Sequence, residues 1–558
     1  MGGRAIFVLL AGALLRTSAR LSWLKKAVKF DLFKAGVHPW GLPCLNPVKR
    51  APVNFPQELL AGNTVQPAMY SGYVNVTDRD YLFYWFAEAE DGAGDDAPLI
   101  VWSNGGPGCS AMEGMTTEHG PLLLLGAKEG SGAFAGRLSR NPYSWNRRAH
   151  VLYVDQPRYV GYSCGTGPFV TSSVDAGKDM VTFLRGWRQL FPEHAHRGLV
   201  LATESYGGHY IPAWSSAIMD YNEGGAADKL TITGILIGNG IINDKVQRYS
   251  FVEFAKRQGL IPADYAADNY TSPREMVKRH LGYQPNYYDY RLREKECCGC
   301  SSYDYKPWAD WLLREDVARA LNVCGDAGNK AFGNCAAGCI SLPEFDKADM
   351  FDYSGELGRA LSKGVKVTLY YGMQDTACDY VGGYAVAAGL DWPFAQDWAD
   401  SPFRDLVIGG GSAGKVKAGG GLTWVQVSGA GHMVPINSPA AASFALGTLL
   451  PKPSSSSVEV PFQCPVSESR VLADEEAGLP HPRQLFTHRG LGGLGATAPA
   501  PSLLAALALG CLGAAAAVLA LGRGARGFAA AQCGASVPLR RLDEPLQEQH
   551  EPSAHLAE

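Results

Sequence analysis

The stretch LVLATESYGG, residues 199–208, places an apolar run directly before a serine and two glycines. This pattern predicts a buried strand that turns sharply into a helix and exposes Ser205 at the turn. Further along the chain, YYGMQDTAC, residues 370–378, supplies Asp375, and GAGHMVP, residues 429–435, supplies His432. A serine, an acid and a histidine in this order form one arrangement of the nucleophile, acid and base triad. The sequence therefore predicts an enzyme that forms an acyl-serine.

Short apolar runs alternate with amphipathic stretches through the middle of the chain. They predict buried strands over residues 98–103, 150–155, 198–203, 231–238, 366–371 and 423–428. Apolar residues at helical spacing predict a helix over residues 179–191 that packs on the sheet. This alternation indicates an α/β class with a mainly parallel sheet covered by helices, in which ligands bind beyond the carboxyl ends of the strands. Since each triad residue follows a predicted strand, we expect all three at one edge.

Length and charge narrow the class of protein. The chain has 558 residues, more than one compact core normally holds, so we expect one catalytic domain over residues 53–451 with additional segments. The formal net charge is -4, which offers no basic surface to nucleic acid. Nucleic-acid binding is therefore excluded as a main function.

The first 52 residues predict entry into the secretory pathway. Arg4 precedes an apolar stretch, and small residues follow it, which is typical of a signal peptide over residues 1–19. Residues 20–52 form an extension that carries the basic pair Lys49-Arg50, a candidate processing site for a propeptide.

The C-terminal part predicts a membrane anchor. Residues 452–501 are rich in Pro, Gly and Ala and predict a flexible stalk. Residues 502–522 are uncharged and, at 1.5 Å per residue, long enough to cross a hydrocarbon core of roughly 30 Å. Arg523 and Arg526 place the tail, residues 523–558, in the cytoplasm of a type I protein. The alternatives are a buried or disordered Ala-rich segment and a lipid anchor, which the polar tail disfavours.

Cysteines and sequons are consistent with a lumenal domain. Asn75 and Asn269 begin glycosylation triplets. Two groups among the thirteen cysteines favour disulfides in an oxidising compartment. They are CCGC, with Cys297, Cys298 and Cys300, and the run of Cys324, Cys335 and Cys339. Zinc is the alternative for CCGC, but the matching His pair or second CxxC is missing. We expect neither a metal nor a cofactor.

Several long segments in order resemble the serine carboxypeptidase family, which includes carboxypeptidase Y and the membrane-anchored processing carboxypeptidases. The resemblance covers residues 53–450 and implies an α/β-hydrolase fold with an inserted disulfide-rich cap region. The matching segments are SGYVNV at 71–76, WSNGGPGCSAMEGMTTEHGP at 102–121, NPYSWN at 141–146, VLYVDQPRYVGYS at 151–163, ESYGGHYIP at 204–212, GILIGNGIIND at 234–244, and GAGHMVP.

The resemblance implies roles around the triad. His432 takes the proton of Ser205, and Asp375 holds the imidazole in one tautomer. The backbone N–H groups of Gly106 and Tyr206 form the oxyanion hole, although NGGPG read alone is also a tight turn. Thr203 occupies the first glycine position of the usual GxSxG motif.

An exopeptidase must recognise a terminal carboxylate, and the resemblance implies that Asn104, the amide of Gly105, Glu118 and Glu204 do so. Two glutamates repel a carboxylate unless they share a proton, which one of them then donates. We therefore expect activity at acidic pH. Taken singly, Glu118 would more often be an exposed helix residue.

The resemblance also implies an unpaired thiol at Cys378, near the active site, and a pocket for the departing amino acid that includes Met433 and Cys378. Setting aside Cys378 and the cysteines of the membrane and tail leaves an even number in the lumen. Cys109 is implied to form a disulfide, with Cys339 as first choice of partner. Asn437 and Tyr159 depart from the family pattern.

Two other functions are considered. Plant-type acyltransferases share the fold and triad but pass the acyl group to an alcohol, and the carboxylate-binding set favours a peptidase over them. A non-catalytic membrane-bound scaffold is the other, and the intact triad argues against it. We expect peptide or protein C-termini as substrates. The expected location is the endomembrane system, such as Golgi, vacuole or lysosome, with a secreted form as the alternative. A homodimer and a monomer are both considered.

Overall fold

The computed structural model describes residues 46–90, 96–124, 136–265, 273–293, 305–324, 339–340, 342, 345, 349 and 352–451. The predicted signal peptide, stalk, membrane segment and tail lie outside these residues, as do most of the N-terminal extension, Asn269 and four of the candidate disulfide cysteines. Across the described ranges, no helix is both long enough and apolar enough to cross a bilayer.

The described strands, in chain order, are β1 Ala51–Pro52, β2 Met69–Asn75, β3 Asp80–Ala87, β4 Leu99–Ser103, β5 Leu122–Leu124, β6 Leu138–Arg140, β7 His150–Val154, β8 Cys164–Gly165, β9 Leu199–Glu204, β10 Ile232–Gly238, β11 Lys366–Gly372, β12 Arg404–Ile408, β13 Gly411–Gly419 and β14 Leu422–Val427. All but β5 and β6, which pair with each other, belong to one sheet in the order β1-β2-β3-β7-β4-β9-β10-β11-β14-β13-β12, with β8 paired to β3.

The centre of this sheet is parallel, as the sequence predicts. The six strands from β7 to β14 in the sheet order pair parallel to their neighbours. The observed bounds of these six strands agree with the predicted ones to within one residue. The α/β-hydrolase arrangement expected from the sequence is therefore confirmed.

Both edges of the sheet are antiparallel, which the sequence analysis did not predict. β1, β2 and β3 form one antiparallel edge, and β12 and β13 form the other. Nearly every residue of β3 is buried, so this strand lacks the alternation that identifies a half-exposed strand. In β13, glycines and lysines dilute the apolar pattern.

The described helices are α1 Ser173–Leu190, α2 Gly207–Glu223, α3 Asp244–Arg257, α4 Pro273–Leu281, α5 Tyr305–Leu312, α6 Glu315–Ala320, α7 Ser354–Ser362, α8 Tyr380–Gly389, α9 Ala395–Asp400, α10 Val434–Asn437 and α11 Pro439–Gly447. Helix α1 contains most of the predicted helix and begins earlier, because Ser172 caps it by accepting a hydrogen bond from the Asp175 amide. The segment between β10 and β11 contains α3 to α7.

Two apolar clusters cover the two faces of the sheet. Along β9, Leu199 and Leu201 belong to one cluster, whereas Val200 and Ala202 belong to the other. This alternation follows from the two-residue period of a strand. Because β9, β10, β11 and β14 are neighbours and parallel, the loops that follow them meet at one edge of the sheet.

Candidate active site

Ser205 occupies a strained turn between β9 and α2. Its φ is 60°, in the left-handed region that non-glycine residues rarely adopt. The Ser205 amide donates to the Gly238 carbonyl at 3.0 Å, and the Ser205 carbonyl accepts from the amides of Gly208 and Ile241, each at 2.9 Å. The loop after β10 therefore holds the turn in the conformation that the sequence predicts for a nucleophile.

Thr203 fits the turn despite standing at a position where glycine is usual. Its hydroxyl donates to the Ser103 carbonyl on β4 at 2.7 Å, so the side chain is buried with its polar atom satisfied. A Cβ on Gly207 would overlap this side chain. The threonine is thus accommodated by a neighbouring strand and by the glycine that opens α2.

Asp375 and His432 are hydrogen-bonded. The His432 Nδ1 lies 2.6 Å from the Asp375 Oδ2, and both residues are buried. Asp375 also accepts from the Ala377 amide at 2.8 Å, the Cys378 amide at 3.1 Å and the Asn239 side-chain amide at 2.9 Å. These contacts fix the position of Asp375 against His432, the arrangement in which a carboxylate can orient a catalytic imidazole.

Asn239 is a member of this group that sequence reasoning missed. Its side-chain oxygen accepts from the Gly372 amide at 2.9 Å, which fixes the orientation of the amide group toward Asp375. The segment GNGIIND, residues 238–244, contains Asn239 but predicts no role for it. Its position directly after β10, between the strands that carry Ser205 and Asp375, was the available signal.

The Cys378 thiol lies beside the Asp375–His432 pair. It is buried, and it is not in a disulfide. Its sulfur lies within 4.8 Å of side-chain atoms of both Asp375 and His432. Burial raises the pKa of Cys378 well above its ordinary value, and Asp375 adds to this effect, so the thiol stays neutral.

A tyrosine stacks on His432. The rings of Tyr288 and His432 have centroids 4.5 Å apart and lie 9° from parallel. The Tyr288 carbonyl accepts from the His432 amide at 2.8 Å, and the Tyr287 carbonyl accepts from the Thr376 amide at 3.2 Å. Residues 287–288 therefore join the aspartate loop to the histidine loop, a role that no sequence pattern indicated.

The expected oxyanion donors lie close to the nucleophile. A Cβ on Gly105 would stand 2.5 Å from the Tyr206 amide nitrogen and 2.8 Å from the Ser205 Cβ, so the NGGPG backbone packs directly against the turn. Gly106 follows with a φ of 117°, which favours glycine. This close approach is what two amides need to face one oxygen next to Ser205.

The Tyr206 side chain is anchored away from its backbone. Its hydroxyl donates to Asp349 Oδ2 at 2.7 Å, and Asp349 also accepts from Ser173 and Tyr353. Burial would raise the pKa of Asp349, but hydrogen bonds from His209 and these groups outweigh it and lower the pKa. Asp349 is a positioning residue that the sequence analysis did not find.

The predicted carboxylate-binding residues form one buried cluster. The Asn104 side-chain amide donates to Glu204 Oε1 at 2.9 Å and to Glu118 Oε1 at 3.3 Å. The opposite oxygen of Asn104 accepts from the Trp102 indole at 2.8 Å and the Gly114 amide at 3.1 Å, which fixes the orientation of the amide. Glu118 and Glu204 are only 2% and 5% exposed, so Glu118 is not a surface helix residue.

A third glutamate, which the sequence analysis missed, joins this cluster. Glu113 is 3% exposed, and one of its oxygens lies within 4.8 Å of oxygens of Glu118 and Glu204. Residues five apart lie roughly 140° apart around an α-helix of 3.6 residues per turn. Here the turn Gly114–Glu118 is π-helical, and its wider winding brings Glu113 and Glu118 to one side.

Two groups in this part of the structure have side-chain atoms close enough to share a metal ion: Asp375, Cys378 and His432, and the three glutamates. The first group is held by the hydrogen bonds of the triad. The second offers oxygen ligands of the type that Mg²⁺ or Ca²⁺ prefers. The absence of a metal from the function stays a prediction from the sequence.

The structure contains the Cys109–Cys339 disulfide that the resemblance implies. It fastens the end of NGGPG to the segment before β11, where a Cβ on Gly108 would stand 2.5 Å from the Ile340 carbonyl oxygen. Cys324 and Cys164 are also disulfide-bonded, and Cys164 was not among the predicted candidates. Cys297, Cys298, Cys300 and Cys335 lie outside the described residues.

Three further residues named in the sequence analysis, Met433, Asn437 and Tyr159, lie in defined surroundings. Met433 is buried directly before α10, and α10 contacts the turn that carries Glu118. Asn437 accepts from the Gly431 amide at 2.9 Å and so holds the turn before His432. Tyr159 donates to Asp80 at 2.7 Å and to the Gly167 carbonyl at 2.6 Å, contacts that anchor its own loop.

Comparisons with known proteins agree with this geometry. The model of the family described as serine carboxypeptidase matches residues 58–281 and 268–450. Carboxypeptidase Y homolog A of Arthroderma otae is 30% identical over 410 residues, covering 67% of this chain and 72% of that protein. The protein of the same name from Fusarium vanettenii is 31% identical over 406 residues, with the same coverage of 67% and 72%.

Among solved structures, Kex1Δp, a prohormone-processing carboxypeptidase from Saccharomyces cerevisiae, has a TM-score of 0.57 at 23% identity, covering 71% of this chain and 95% of that one. At this identity the likeness supports the fold. The family match extends over most of the chain and includes the segments that carry the serine turn, the aspartate and the histidine. The chain therefore belongs to the serine carboxypeptidase family and is a serine-type carboxypeptidase.

Proposed function

We propose that Ser205, His432 and Asp375 cleave the last peptide bond of a peptide chain through an acyl-serine. The observation that carries this assignment is the strained Ser205 turn after β9, at the same sheet edge as the hydrogen-bonded Asp375–His432 pair. A catalytic serine needs a base, and the base needs a carboxylate that fixes its tautomer.

The reaction begins when His432 Nε2 takes the Ser205 proton as the oxygen attacks the carbonyl carbon. The negative charge that develops on the carbonyl oxygen is stabilised by the amides of Gly106 and Tyr206. His432 then gives the proton to the departing amino group, and the C–N bond breaks. Water, deprotonated by His432, attacks the acyl-serine and releases the shortened peptide.

Recognition of the chain end is assigned to Asn104, the Gly105 amide, Glu118 and Glu204. The Asn104 amide already points at both glutamates. Because Glu118 and Glu204 are buried together, ionising both beside a third carboxylate is unfavourable, whereas one shared proton allows a hydrogen bond to the substrate. The enzyme therefore works best at acidic pH.

The test is release of amino acids from a mixed-sequence peptide library at pH 4.5 and pH 7.5, with Ser205→Ala as matched control. Stepwise trimming from the C-terminus that is stronger at pH 4.5 and absent in the variant is expected. The same peptides with amidated C-termini should resist trimming. A fluorophosphonate that labels the native protein but not the variant reports a folded nucleophile independently of peptide turnover.

Labelled protein that trims no peptide would contradict the peptidase assignment. Turnover of glucose esters with an alcohol acceptor would then indicate acyl transfer. Loss of labelling would instead revive a scaffold without catalysis. Efficiency that rises steadily from pH 5 to pH 8 would remove the shared-proton hypothesis while leaving the triad intact.

We place the enzyme in the secretory or endomembrane system as a type I protein anchored by residues 502–522. The Cys109–Cys339 disulfide supports an oxidising compartment, and Asn75 is exposed at the end of β2, as a glycosylation site requires. Extraction of membranes at alkaline pH should release a chain ending at residue 451 but retain the full chain. Homodimerisation is tested by the molar mass of the lumenal segment in solution.

A further inference from the structure

Tyr370 stands beside a glutamate of the binding cluster. In the sheet, Gly238 of β10 pairs with Glu204 of β9 on one side and with Tyr370 of β11 on the other. Residues abreast in neighbouring strands point to the same face of a sheet. Glu204 and Tyr370 are therefore separated by a glycine, which has no side chain to part them.

The Tyr370 ring extends across this glycine. A Cβ on Gly238 would stand 2.5 Å from the Tyr370 hydroxyl oxygen, so the phenol lies over the glycine and is directed toward β9. Neighbouring strands are about 4.8 Å apart, and a tyrosine side chain that crosses one strand comes near the carboxylate on the next. Burial raises the pKa of Tyr370 well above its ordinary value, and the charges of Glu204 and Glu118 raise it further, which agrees with this proximity.

The hydroxyl of Tyr370 has no part in the proposed mechanism. Tyr370 is 1% exposed, and its hydroxyl has no hydrogen-bond partner among the described residues. Leaving a buried hydroxyl without a partner is unfavourable. Tyr153 provides a contrast, since the charge of Glu118 also raises its pKa but its hydroxyl lies 3.0 Å from His119 Nδ1. Of these two phenols, Tyr370 is the one that keeps its donor free.

A free donor matters when the glutamate pair loses its proton. In the proposed function, on which this inference rests, Glu118 and Glu204 share one proton at acidic pH. Asn104 donates one hydrogen bond to each of them. When the shared proton leaves, the added negative charge is stabilised by any further donor within reach, because an ionised carboxylate accepts hydrogen bonds at both oxygens. A donor that favours the charged form lowers the pKa of the carboxyl group.

The other titratable groups around the pair do not obscure this effect. Glu113 faces it from the start of the π-helical turn, Tyr153 from β7, and Cys378 from the loop after β11. Burial raises the pKa of Tyr153 and of Cys378 well above the ordinary values and lowers that of His119, so all three stay neutral between pH 4.5 and pH 7.5. Glu113 is present in native and variant protein alike.

We propose that the Tyr370 hydroxyl donates to Glu204 when the shared proton leaves, and so sets the pH at which the enzyme stops recognising the chain end. At acidic pH the proton holds the two glutamates together and the hydroxyl is not needed. At higher pH the hydroxyl stabilises the ionised pair, which repels the terminal carboxylate of the substrate. Tyr370 is thus a positioning residue that narrows the working range toward acidic pH.

The experiment measures kcat/KM of the full chain from pH 4 to pH 8 on a peptide with a free C-terminus, for native protein and Tyr370→Phe. Phenylalanine keeps the ring and removes the donor, so the ionised pair is less stable and the proton is kept to higher pH. The fall in kcat/KM on the basic side should shift upward by about one to two pH units, as expected for the loss of one hydrogen bond to a charged group. A residue with a merely structural role would instead lower the activity at every pH.

Two controls separate this effect from general damage to the fold. Tyr84→Phe also removes a buried phenol hydroxyl, which donates to the Lys49 carbonyl at 2.7 Å, and it should leave the fall at its native pH. The rate of fluorophosphonate labelling depends on Ser205 and His432 but on no terminal carboxylate. It should have the same pH dependence in native protein and in both variants.

Replacing Tyr370 by 3-fluorotyrosine tests the donor with the opposite sign and without removing it. Fluorine makes the phenol more acidic and therefore a stronger donor, so the fall in kcat/KM should move to lower pH. A fall that stays at the native pH in both altered proteins, or that moves to lower pH in Tyr370→Phe, would overturn the proposal.

The proposed function and this inference fail differently. If the native protein takes up the fluorophosphonate but releases no amino acid at any pH, the proposed function fails and the inference fails with it. If native kcat/KM has no fall on the basic side, the pair has no proton for Tyr370 to regulate, and the inference fails while the triad stands. If the native fall is present and Tyr370→Phe does not move it, only the role of Tyr370 is overturned.

Discussion

The candidate active site has a catalytic half around Asp375 and His432 and a binding half around Glu118 and Glu204. The two halves differ in the surroundings of their carboxylates. In the catalytic half, Asp375 alone receives hydrogen bonds from His432, Asn239 and two backbone amides. In the binding half, Glu118 and Glu204 share the two donors of a single amide, and Glu113 adds a third carboxylate. In one half a single carboxylate is surrounded by hydrogen-bond donors, and in the other half three carboxylates lie close together.

This difference indicates whether the charge of each half is compensated before or after the substrate binds. The catalytic half has its charge compensated before substrate arrives, so its geometry is ready for proton transfer. In the proposed function the binding half is completed by a shared proton and by the substrate itself. We therefore expect substitutions in the first half to change kcat, and substitutions in the second to change KM, pH dependence and specificity.

Asp375→Asn should have the largest effect. An asparagine can donate to His432 Nδ1, which would move the imidazole proton to Nε2 and remove the base. We expect kcat to fall on the order of 10⁴-fold while KM changes little. Steady-state kinetics on a peptide with a free C-terminus measure both values. A kcat within tenfold of native would mean that Asp375 does not set the tautomer.

Asn104→Ala should have the next largest effect, and it should appear in KM. The substitution removes the side-chain amide that bridges Glu118 and Glu204, so we expect the site to lose a donor to the substrate carboxylate and a contact that holds both glutamates. Removing a hydrogen bond to a charged group costs about 1.5–3 kcal/mol, which corresponds to roughly 10–150-fold.

Fluorophosphonate labelling of the Asn104→Ala protein provides the control, since labelling needs Ser205 and His432 but no terminal carboxylate. If labelling slows in proportion to the loss of peptide turnover, the substitution impairs Ser205 and His432. This result would contradict the separation of the site into a catalytic and a binding half.

Glu204→Gln tests the shared proton. Glutamine donates a hydrogen bond at any pH, so it imitates the protonated member of the Glu118 and Glu204 pair without titrating. In native protein the activity should fall as pH rises and the shared proton is lost. The variant should keep about tenfold more of its pH 5 activity at pH 7.5 than the native protein does. Parallel pH profiles of the two proteins would exclude a proton on this pair.

The sequence predicted the catalytic half more completely than the binding half, for physical reasons. Ser205, Asp375 and His432 each follow a buried strand, and parallel strands bring the residues after them to one edge. Glu113 joins the site only because the turn after it is π-helical. Such a local change in winding has no pattern in the residues themselves.

Tyr288 shows a second limit. It reaches His432 from a segment between α4 and α5 that has no helical or strand periodicity, so only the folded chain brings it there. Asn239 is an intermediate case, because its position after β10 was readable although its role was not. The membrane span and the stalk were predicted from composition and lie outside the described residues, so they stay predictions.

Each half of the site also rests on a buried carboxyl group that holds its proton. Asp155 accepts from the Ser110 hydroxyl at 2.6 Å and the Ala111 amide at 2.9 Å, at the start of the turn that leads to Glu113. Asp379 accepts from the Gly382 amide at 2.8 Å and caps α8 after the Asp375 loop. Burial raises the pKa of Asp155 to about 6 and that of Asp379 to about 7.

These shifts make both carboxyl groups destabilising at neutral pH. Between the ordinary value of 3.8 and its own pKa, each group binds a proton in the folded protein but not in the unfolded chain. Its contribution to the free energy of unfolding is full below pH 3.8 and is lost as pH rises through about 6 or 7. Two histidines act in the opposite sense, since burial lowers the pKa of His150 to about 3 and that of His119 well below its ordinary value. Between pH 5 and pH 7.5 these two carboxyl groups and these two histidines therefore change the free energy of unfolding in opposite directions.

Asp379→Asn removes one of the two buried carboxyl groups and should have the smallest of the four effects. Asparagine keeps an oxygen for the Gly382 amide but carries no charge, so the variant lacks the penalty that the native protein meets above about pH 7. The difference in Tm between variant and native protein should be more positive at pH 7.5 than at pH 5, by about 2–5 °C. Thermal unfolding followed by circular dichroism at the two pH values measures it. An equal difference at both pH values would mean that Asp379 is already ionised in the acidic range, and that the catalytic half, unlike the binding half, needs no proton to keep its fold.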